Sequence, residues 1–477
     1  YSAVLDKDGS IIIGGESIIY RIKNDKVISS LPIKLFNENN VYYIFIDSQS
    51  NIWFSIQGKG FYVIPNGTEN IINMGVKMGL ENAQVNKFYE DNEKNIWIGT
   101  FGKGVYCLTN LYLKNYSEKE GLINNNVNSI IKDSSGKLII GTINGISVME
   151  DGILKPLKYN SGEVITGYVN NLIKKNNYIY VSLTSLEPKA KEVFSNNIKF
   201  RLSRLQSICE IANGLFILGS VGNNITVQRG FSHRKDSEQT YVFGDSSYQN
   251  RINFITEDSK NNIWIGTTSG LCKISNWVGK ETAKWDKTFF KDDLVLSSKI
   301  TSIHEDNDNK VWFAAANGVA SYDLRNNSVT SYSTILGHDI SASNSIVSDK
   351  KGRIWIGNLK GVYMFDGKTM KHLNSQSGLP SNEVLSLYFD EPNDQLFIGT
   401  SNGFSELDIN YFDNYKTEPP IIRINKIVAG DSVFANYVNL EFERDQNNVF
   451  IDISAINYSS PSTIRYKYKL NNNWTET

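Results

Sequence analysis

Seven aspartates stand at one fixed place in this sequence. Asp6, Asp47, Asp91, Asp133, Asp258, Asp306 and Asp349 each precede by six residues an aromatic or apolar residue at the centre of a strand-like run: Ile12, Trp53, Trp97, Ile139, Trp264, Trp312 and Trp355. Repeated carboxylates are the raw material of glycoside hydrolysis, which needs two of them converging at about 5 to 10 Å, one with a raised pKa. One carboxylate per equivalent turn instead spreads around a rim, and an Asp there closes a tight turn through its own side chain. These residues therefore read as turn-makers, and no catalytic residue is expected. The histidines His233, His304, His338 and His372 show no metal-binding spacing. The run from Glu305 to Asn309 lacks the glycine and terminal glutamate of a calcium loop. No nucleophile elbow, P-loop or dinucleotide fingerprint is present. Neither a metal nor a cofactor is expected.

The elements that hold those aspartates recur. Aligned on Trp97, the repeat anchors are Ile12, Trp53, Trp97, Ile139, Tyr180, Phe216, Trp264, Trp312, Trp355 and Phe397, at a mean spacing of about 43 residues. Upstream of each turn lie alternating apolar pairs such as Ile252/Ile255 and Ile300/Ile303, a first strand at period two. The aromatic run is a second strand, apolar on both faces. Glycines such as Gly60, Gly104, Gly145, Gly270, Gly318, Gly361 and Gly403 then turn the chain into a third. A small sheet that is apolar on both faces must be covered on both sides. Blades stacked around an axis achieve this, and a β-propeller is preferred to a solenoid. The units around Tyr180 and Phe216 lack the aspartate, with Lys174 and Glu210 in its place.

Length and charge bound the rest. The chain has 477 residues, 49 Lys+Arg against 50 Asp+Glu, and a formal net charge of -1. This balance argues against a nucleic-acid partner. Cys107, Cys209 and Cys272 form neither a disulfide framework nor a metal clip. No run approaches the length of a membrane span. Beginning at Tyr1 in one strand-like run and ending at Thr477 in another, the sequence reads as a piece of a longer protein.

The run Gly378-Leu-Pro-Ser-Asn382, Val384-Leu-Ser-Leu387 and Phe397-Ile-Gly-Thr-Ser-Asn-Gly403 resembles the two-component-regulator propeller repeat, and the likeness extends over about residues 1 to 410. After Pro419-Pro420, the stretch Val449 to Tyr458, then Ile464 to Leu470 and Trp474, resembles the triple-tyrosine domain, an immunoglobulin-like β-sandwich. Together these imply the periplasmic sensor domain of an inner-membrane hybrid histidine kinase/response regulator. Such a domain would bind a glycan-derived oligosaccharide and signal as a homodimer to a transcriptional output, with any membrane span outside this segment. The segment itself would not be an enzyme. The expected domains are the last three blades of an N-terminal propeller (1–115), a seven-bladed propeller (116–412) and an incomplete sandwich (418–477). Two alternatives stand beside this: the same sensor fused to a transcription-factor or cyclase output, and a propeller glycoside hydrolase, since the turn also resembles the Asp-box of sialidases.

In a propeller, the loops between second and third strands and those between blades open on one face. The candidate ligand-binding residues there are Tyr248, Asn250, Arg251, Thr268, Asn317, Asn358, Lys360, Asn382 and Asn402, whose amides, cations and ring suit a sugar. Trp277 and Trp285 lie outside the repeat and are read either as ligand or partner contacts or as packing on a neighbouring propeller.

Overall fold

The computed structural model describes residues 2–33, 40–69, 71–78, 80–108, 113–159, 162–175, 178–184, 198–202, 205–211, 215–220, 224–229, 238–242, 251–276, 285–414, 421–434, 440–442, 448–456, 467–470 and 473–476. The chain forms two compact units, Tyr112–Asp413 and the remainder. Both are built almost wholly of small antiparallel sheets, and the fold is that of a β-propeller.

In the unit Tyr112–Asp413 seven sheets follow one another, with inner strands Val127–Lys132, Tyr168–Lys175, Leu205–Ile211, Ile252–Glu257, Ile300–Glu305, Ser343–Ser348 and Val384–Asp390; we number the blades one to seven in that order. Each inner strand packs on the next, and the seventh packs on the first, so the ring is closed. Blade seven takes its outer strand from the other end of the unit: Leu113–Tyr116 pairs with Gly403–Asp408, with Tyr116 opposite Phe404. Their rings stack at 4.6 Å, and the Tyr116 hydroxyl donates to Glu406 at 2.9 Å. The expected domain boundary after residue 115 therefore moves, because 113–116 belong to the closing blade and the units part between Leu111 and Tyr112. Blade two departs from the pattern, since its third strand, Ile198–Leu202, runs parallel to Tyr178–Thr184.

The second strands Leu138–Thr142, Ile263–Thr267 and Ile354–Asn358 are buried at every position. This is the burial demanded of a strand sandwiched between blades. Where a glycine stands two residues after the anchor, it sets how closely blades approach. A Cβ on Gly141, Gly219, Gly266 or Gly357 would lie 2.5 to 2.7 Å from a side-chain atom of Val169, Ile252, Ile300 or Val384, at or next to the start of the next blade's inner strand. On Gly399 it would lie 2.8 Å from Val127 of blade one, so the closing contact repeats the others. Gly219 also corrects the register of blade three. Ser207 pairs with Gly219 as Ser129 pairs with Gly141, which places Ile217, not Phe216, at the anchor position. By the same pairing Lys174 and Glu210 align with Glu257 and Glu305, one place before the turn aspartate rather than on it.

Hydrogen bonds reinforce the seating. Asn128, Asn253, Thr301 and Asn344 donate to the carbonyls of Val169, Ile300, Ser343 and Val384 in the following blade, at 2.6 to 3.2 Å.

The other unit holds three blades, with inner strands Ala3–Leu5, Val41–Ile46 and Val85–Glu90. Gly14 is covered by Val41 as in the ring, but beyond Gly99 the nearest atom is the Lys87 carbonyl oxygen at 3.7 Å, and Tyr89, Phe101 and Val105 of this third blade are exposed. The unit also contains a sheet of Ile422–Ala429, Ser432–Phe434 and Val449–Ala455, and a hairpin, Lys467–Leu470 with Asn473–Glu476.

The glycine seats yield a paired prediction. Gly266→Ala forces a methyl against Ile300 and should destabilise the protein by about 1 to 3 kcal/mol, whereas Gly99→Ala, which meets no neighbouring side chain, should fall within about 0.5 kcal/mol of the parent. Denaturant melts of this chain measure both.

Candidate functional site

The repeated carboxylates are consumed by the turns they build. Oδ1 of Asp258 accepts the backbone N–H groups of Lys260 and Asn262 at 2.9 and 2.8 Å, while Oδ2 accepts the Asn262 amide and the Trp264 indole N–H, both at 2.8 Å. The indole bond recurs from Trp53 to Asp47, Trp97 to Asp91, Trp312 to Asp306 and Trp355 to Asp349, at 2.7 to 2.9 Å. Where the anchor is Ile12, the Arg21 guanidinium meets Asp6 at 2.7 Å instead. A carboxylate whose two oxygens are taken up by three or four donors of its own turn and strand is committed to structure rather than presented to a substrate. Among the described residues, no group of three His, Cys, Asp or Glu is placed to hold a metal. The acidic run at 305–309 is divided between jobs: Glu305 accepts from Ser259 of the preceding blade and Asp306 closes its own turn.

The histidines are likewise structural. His304 meets the Ser348 hydroxyl at 2.8 Å across blades five and six, and burial pushes its pKa down to about 4. His372 stacks on Tyr363 at 4.2 Å, with its Nε2 2.9 Å from the Lys360 carbonyl oxygen. His233 lies outside the described residues.

The predicted loop-face residues fall on blades four to seven, but most of their polar atoms brace the loops. The amide of Asn317 donates to the Leu294 carbonyl, that of Asn358 to Ser341 and that of Asn402 to Pro380. The Asn382 side-chain oxygen accepts the Ser375 N–H at 2.7 Å, and the Thr268 N–H donates to the Arg251 carbonyl at 3.0 Å. Arg251 is exposed. Lys360 pairs with Asp339 at 2.6 Å; hydrogen bonds from Lys360 and Ser341 pull the Asp339 carboxyl down to about 2. The structure thus gathers Asn358, Lys360, Asp339, His338, Tyr363 and His372 on blade six, the last four of which sequence reasoning missed because two lie on a hairpin, Thr334–Ile335 with His338–Asp339, that the repeat does not contain.

Tyr248, Asn250 and Trp277 lie outside the described residues. Trp285 is buried among Ile211, Ile217, Ile252 and Ile274, between blades three and four, and its indole N–H has no hydrogen-bond partner among the described residues. Neither reading offered for it from the sequence holds, because the ring fills the ring unit's own core.

The two component regulator propeller family matches residues 79–102, 121–144 and 249–269. A search of curated proteins finds no match. Among solved structures, the extracellular domain of the hybrid two component system BT3049 from B. thetaiotaomicron is similar at a TM-score of 0.65 and 19% identity, covering 100% of this chain and 67% of that one. The extracellular domain of the one component system BT4673 from the same organism is similar at a TM-score of 0.51 and 18% identity, covering 100% of this chain and 69% of that one.

Two predictions test these placements. Trp285→Ala should cost about 3 to 5 kcal/mol of stability, while Trp285→Phe, which keeps most of the packing and loses no hydrogen bond, should cost far less; thermal melts compare them. His304 has a depressed pKa, so the unfolded chain takes up its proton first. Stability from this group is complete above the ordinary histidine pKa of 6.5 and declines as pH falls towards 4. His304→Gln should flatten the dependence of melting temperature on pH across that window.

Proposed function

We propose that this chain, whose blades are built from the two-component-regulator propeller repeat, is the ligand-sensing part of an extracytoplasmic two-component regulator. The observation that carries the reading is the combination of a closed seven-bladed ring with family-matched repeats in both units. Among the described residues no helix is long and apolar enough to cross a membrane, which fits a segment attached through a span elsewhere. A kinase and response regulator would lie outside this segment. The ligand we infer is a glycan-derived oligosaccharide, recognised by a dimer whose geometry changes on binding; a ligand that bound both geometries equally would carry no signal.

Two further features support the domain assignment. The third blade's uncovered glycine seat at Gly99, with Tyr89 and Val105 exposed, suits a further blade of the same repeat. In the sheet after residue 420, pairing puts Ile422, Ile424, Ile427, Val449, Ile451 and Ile453 on one face, and Arg423, Lys426, Asp452 and Ser454, with Val428 and Phe450, on the other. An apolar sheet face that is largely exposed needs a second sheet against it, as an immunoglobulin-like sandwich provides.

The hydrolase alternative loses its main support, because the aspartates that resemble an Asp-box are held in turns. Thermal melts against a panel of glycan oligosaccharides test the proposal. A true ligand at 100 times its dissociation constant should stabilise the protein by about 2.7 kcal/mol, a clear rise in melting temperature. Silence across the panel, or release of reducing ends from polysaccharide, would overturn it.

A further inference from the structure

In blade five the third strand, Gly318–Asp323, ends at the buried Leu324, whose N–H donates to the Asn309 carbonyl at 3.0 Å, and the chain then turns back as an outer strand, Ser328–Tyr332. Blade seven repeats this as far as Gly403–Asp408 and the buried Ile409, whose N–H donates to the Asp394 carbonyl at 3.2 Å. Its outer strand is already supplied by Leu113–Tyr116, so the chain does not turn back into the sheet. It forms a short helix instead, Ile409–Asn414, capped where the Asp408 carboxylate accepts the Tyr411 N–H at 2.9 Å. The residues that follow belong to the other unit.

This exit helix is fastened to the aspartate turn of blade six. In three turns the residue four places after the aspartate is an asparagine, Asn51, Asn95 or Asn262, whose amide donates to Oδ2 of Asp47, Asp91 or Asp258 at 2.8 to 3.0 Å. Among the seven turn aspartates only Asp349 is followed at that place by an arginine. Nε of Arg353 makes the asparagine's bond to Asp349 at 2.6 Å, and the longer side chain carries Nη1 on to the Asp413 carboxylate. Lys351 of the same turn donates to Asp413 at 2.7 Å. Arg353 and Asp413 are both mostly buried, where an ion pair is little screened. Beside them the buried Phe412 ring packs on Trp355 at 5.5 Å, with the Lys371 ammonium 4.6 Å from its centre. Trp264 of blade four receives Tyr322 of blade five at 5.0 Å; the matching residue of blade seven is Leu407, and Phe412 supplies the aromatic contact that the strand lacks.

We propose that Ile409–Asn414 is a strap that closes the seam between blades six and seven and couples it to the chain beyond residue 414. Releasing the strap loosens the seam, and a shift between the two blades releases the strap. Arg353 divides its donors between Asp349, which shapes the blade's own turn, and Asp413, which belongs to the departing chain. Its Nη2 is buried with no hydrogen-bond partner among the described residues. A buried donor left unmade raises the free energy of the strapped state, so the strap is poised rather than locked. This coupling holds for a ligand of any class and does not depend on sugar binding.

The test uses the whole chain and two measurements: chymotrypsin cleavage after Tyr411 and Phe412, and hydrogen exchange of the seam strands Ile354–Asn358 and Gly403–Asp408. Arg353→Asn restores the amide that serves Asp258 and gives up Asp413; Asp413→Asn removes the charge from the helix without touching a blade. Each should speed cleavage at least tenfold and raise seam exchange at least threefold, while the blade-four strand Ile263–Thr267 keeps the parent rate. The double variant should be no looser than Asp413→Asn alone, because Arg353 acts on the strap only through that carboxylate. In the reverse direction, Gly357→Ala, which sets a methyl against Val384 across the same seam, should speed cleavage at the strap, whereas Gly266→Ala at the seam of blades four and five should not. Cleavage at the parent rate in both charge variants, or faster cleavage with seam exchange unchanged, overturns the proposal. So does a rise in exchange shared equally by Ile263–Thr267, which would mark general loosening, or a strap indifferent to Gly357→Ala.

Discussion

Seven of the ten blades depend on one turn carboxylate each. In five turns an aspartate ties together its own loop and, through the indole N–H six residues on, the strand that fills the space between blades. Each indole would otherwise bury a donor, and an unsatisfied buried donor costs about 1 to 3 kcal/mol. Trp264 and Trp355 are completely buried and nonetheless satisfied. The same bond fixes the ring's rotamer, so the largest side chain in the blade arrives in one orientation. Asp6 shows that the carboxylate is the invariant partner in this arrangement: with isoleucine at the anchor, a guanidinium from the third strand takes the indole's place.

From that fixed strand the circular order follows by contact with the next blade. The anchor orients the strand, the glycine two residues later removes the side chain that would hold the next blade away, and a Val or Ile seats there. Because Gly399 and Val127 repeat this relation between the last blade and the first, closure needs no special interface. It does need an outer strand for the seventh blade, supplied from residues 113–116. A strand that pairs 290 residues away in the chain has no local signal, which is why the sequence boundary fell a few residues late.

What was legible in the sequence is what repeats. Period, turn aspartates and both glycines are local relations, and each survived in the structure. Blade three was misread by one residue because Phe216 resembles the aromatic anchor, whereas the seat glycine at Gly219, which bears the steric constraint, marks Ile217. Trp285 was opaque for the opposite reason. It falls on no repeat position, so nothing in the sequence tells whether its ring turns inward or outward, and it turns inward. Thr268, Asn317 and Asn402 do lie between second and third strands. Their amides nevertheless face neighbouring carbonyls, a pairing that depends on how far each loop reaches.

A ring of repeats converts sequence equivalence into spatial proximity, and this bears on where a binding site can arise. Residues one blade apart in sequence, such as Lys174, Glu210 and Glu257, come from equivalent points on adjacent inner strands and so share one lining. Where each repeat obeys the pattern, that lining is closed by clamps such as Glu305 on Ser259 and Lys132 on Asp390. The loss of the aspartate near Tyr180 and Ile217 looks, along the sequence, like decay of the repeat. Around the ring it places Lys174 beside Glu210 and Glu257 at the edge of one cavity.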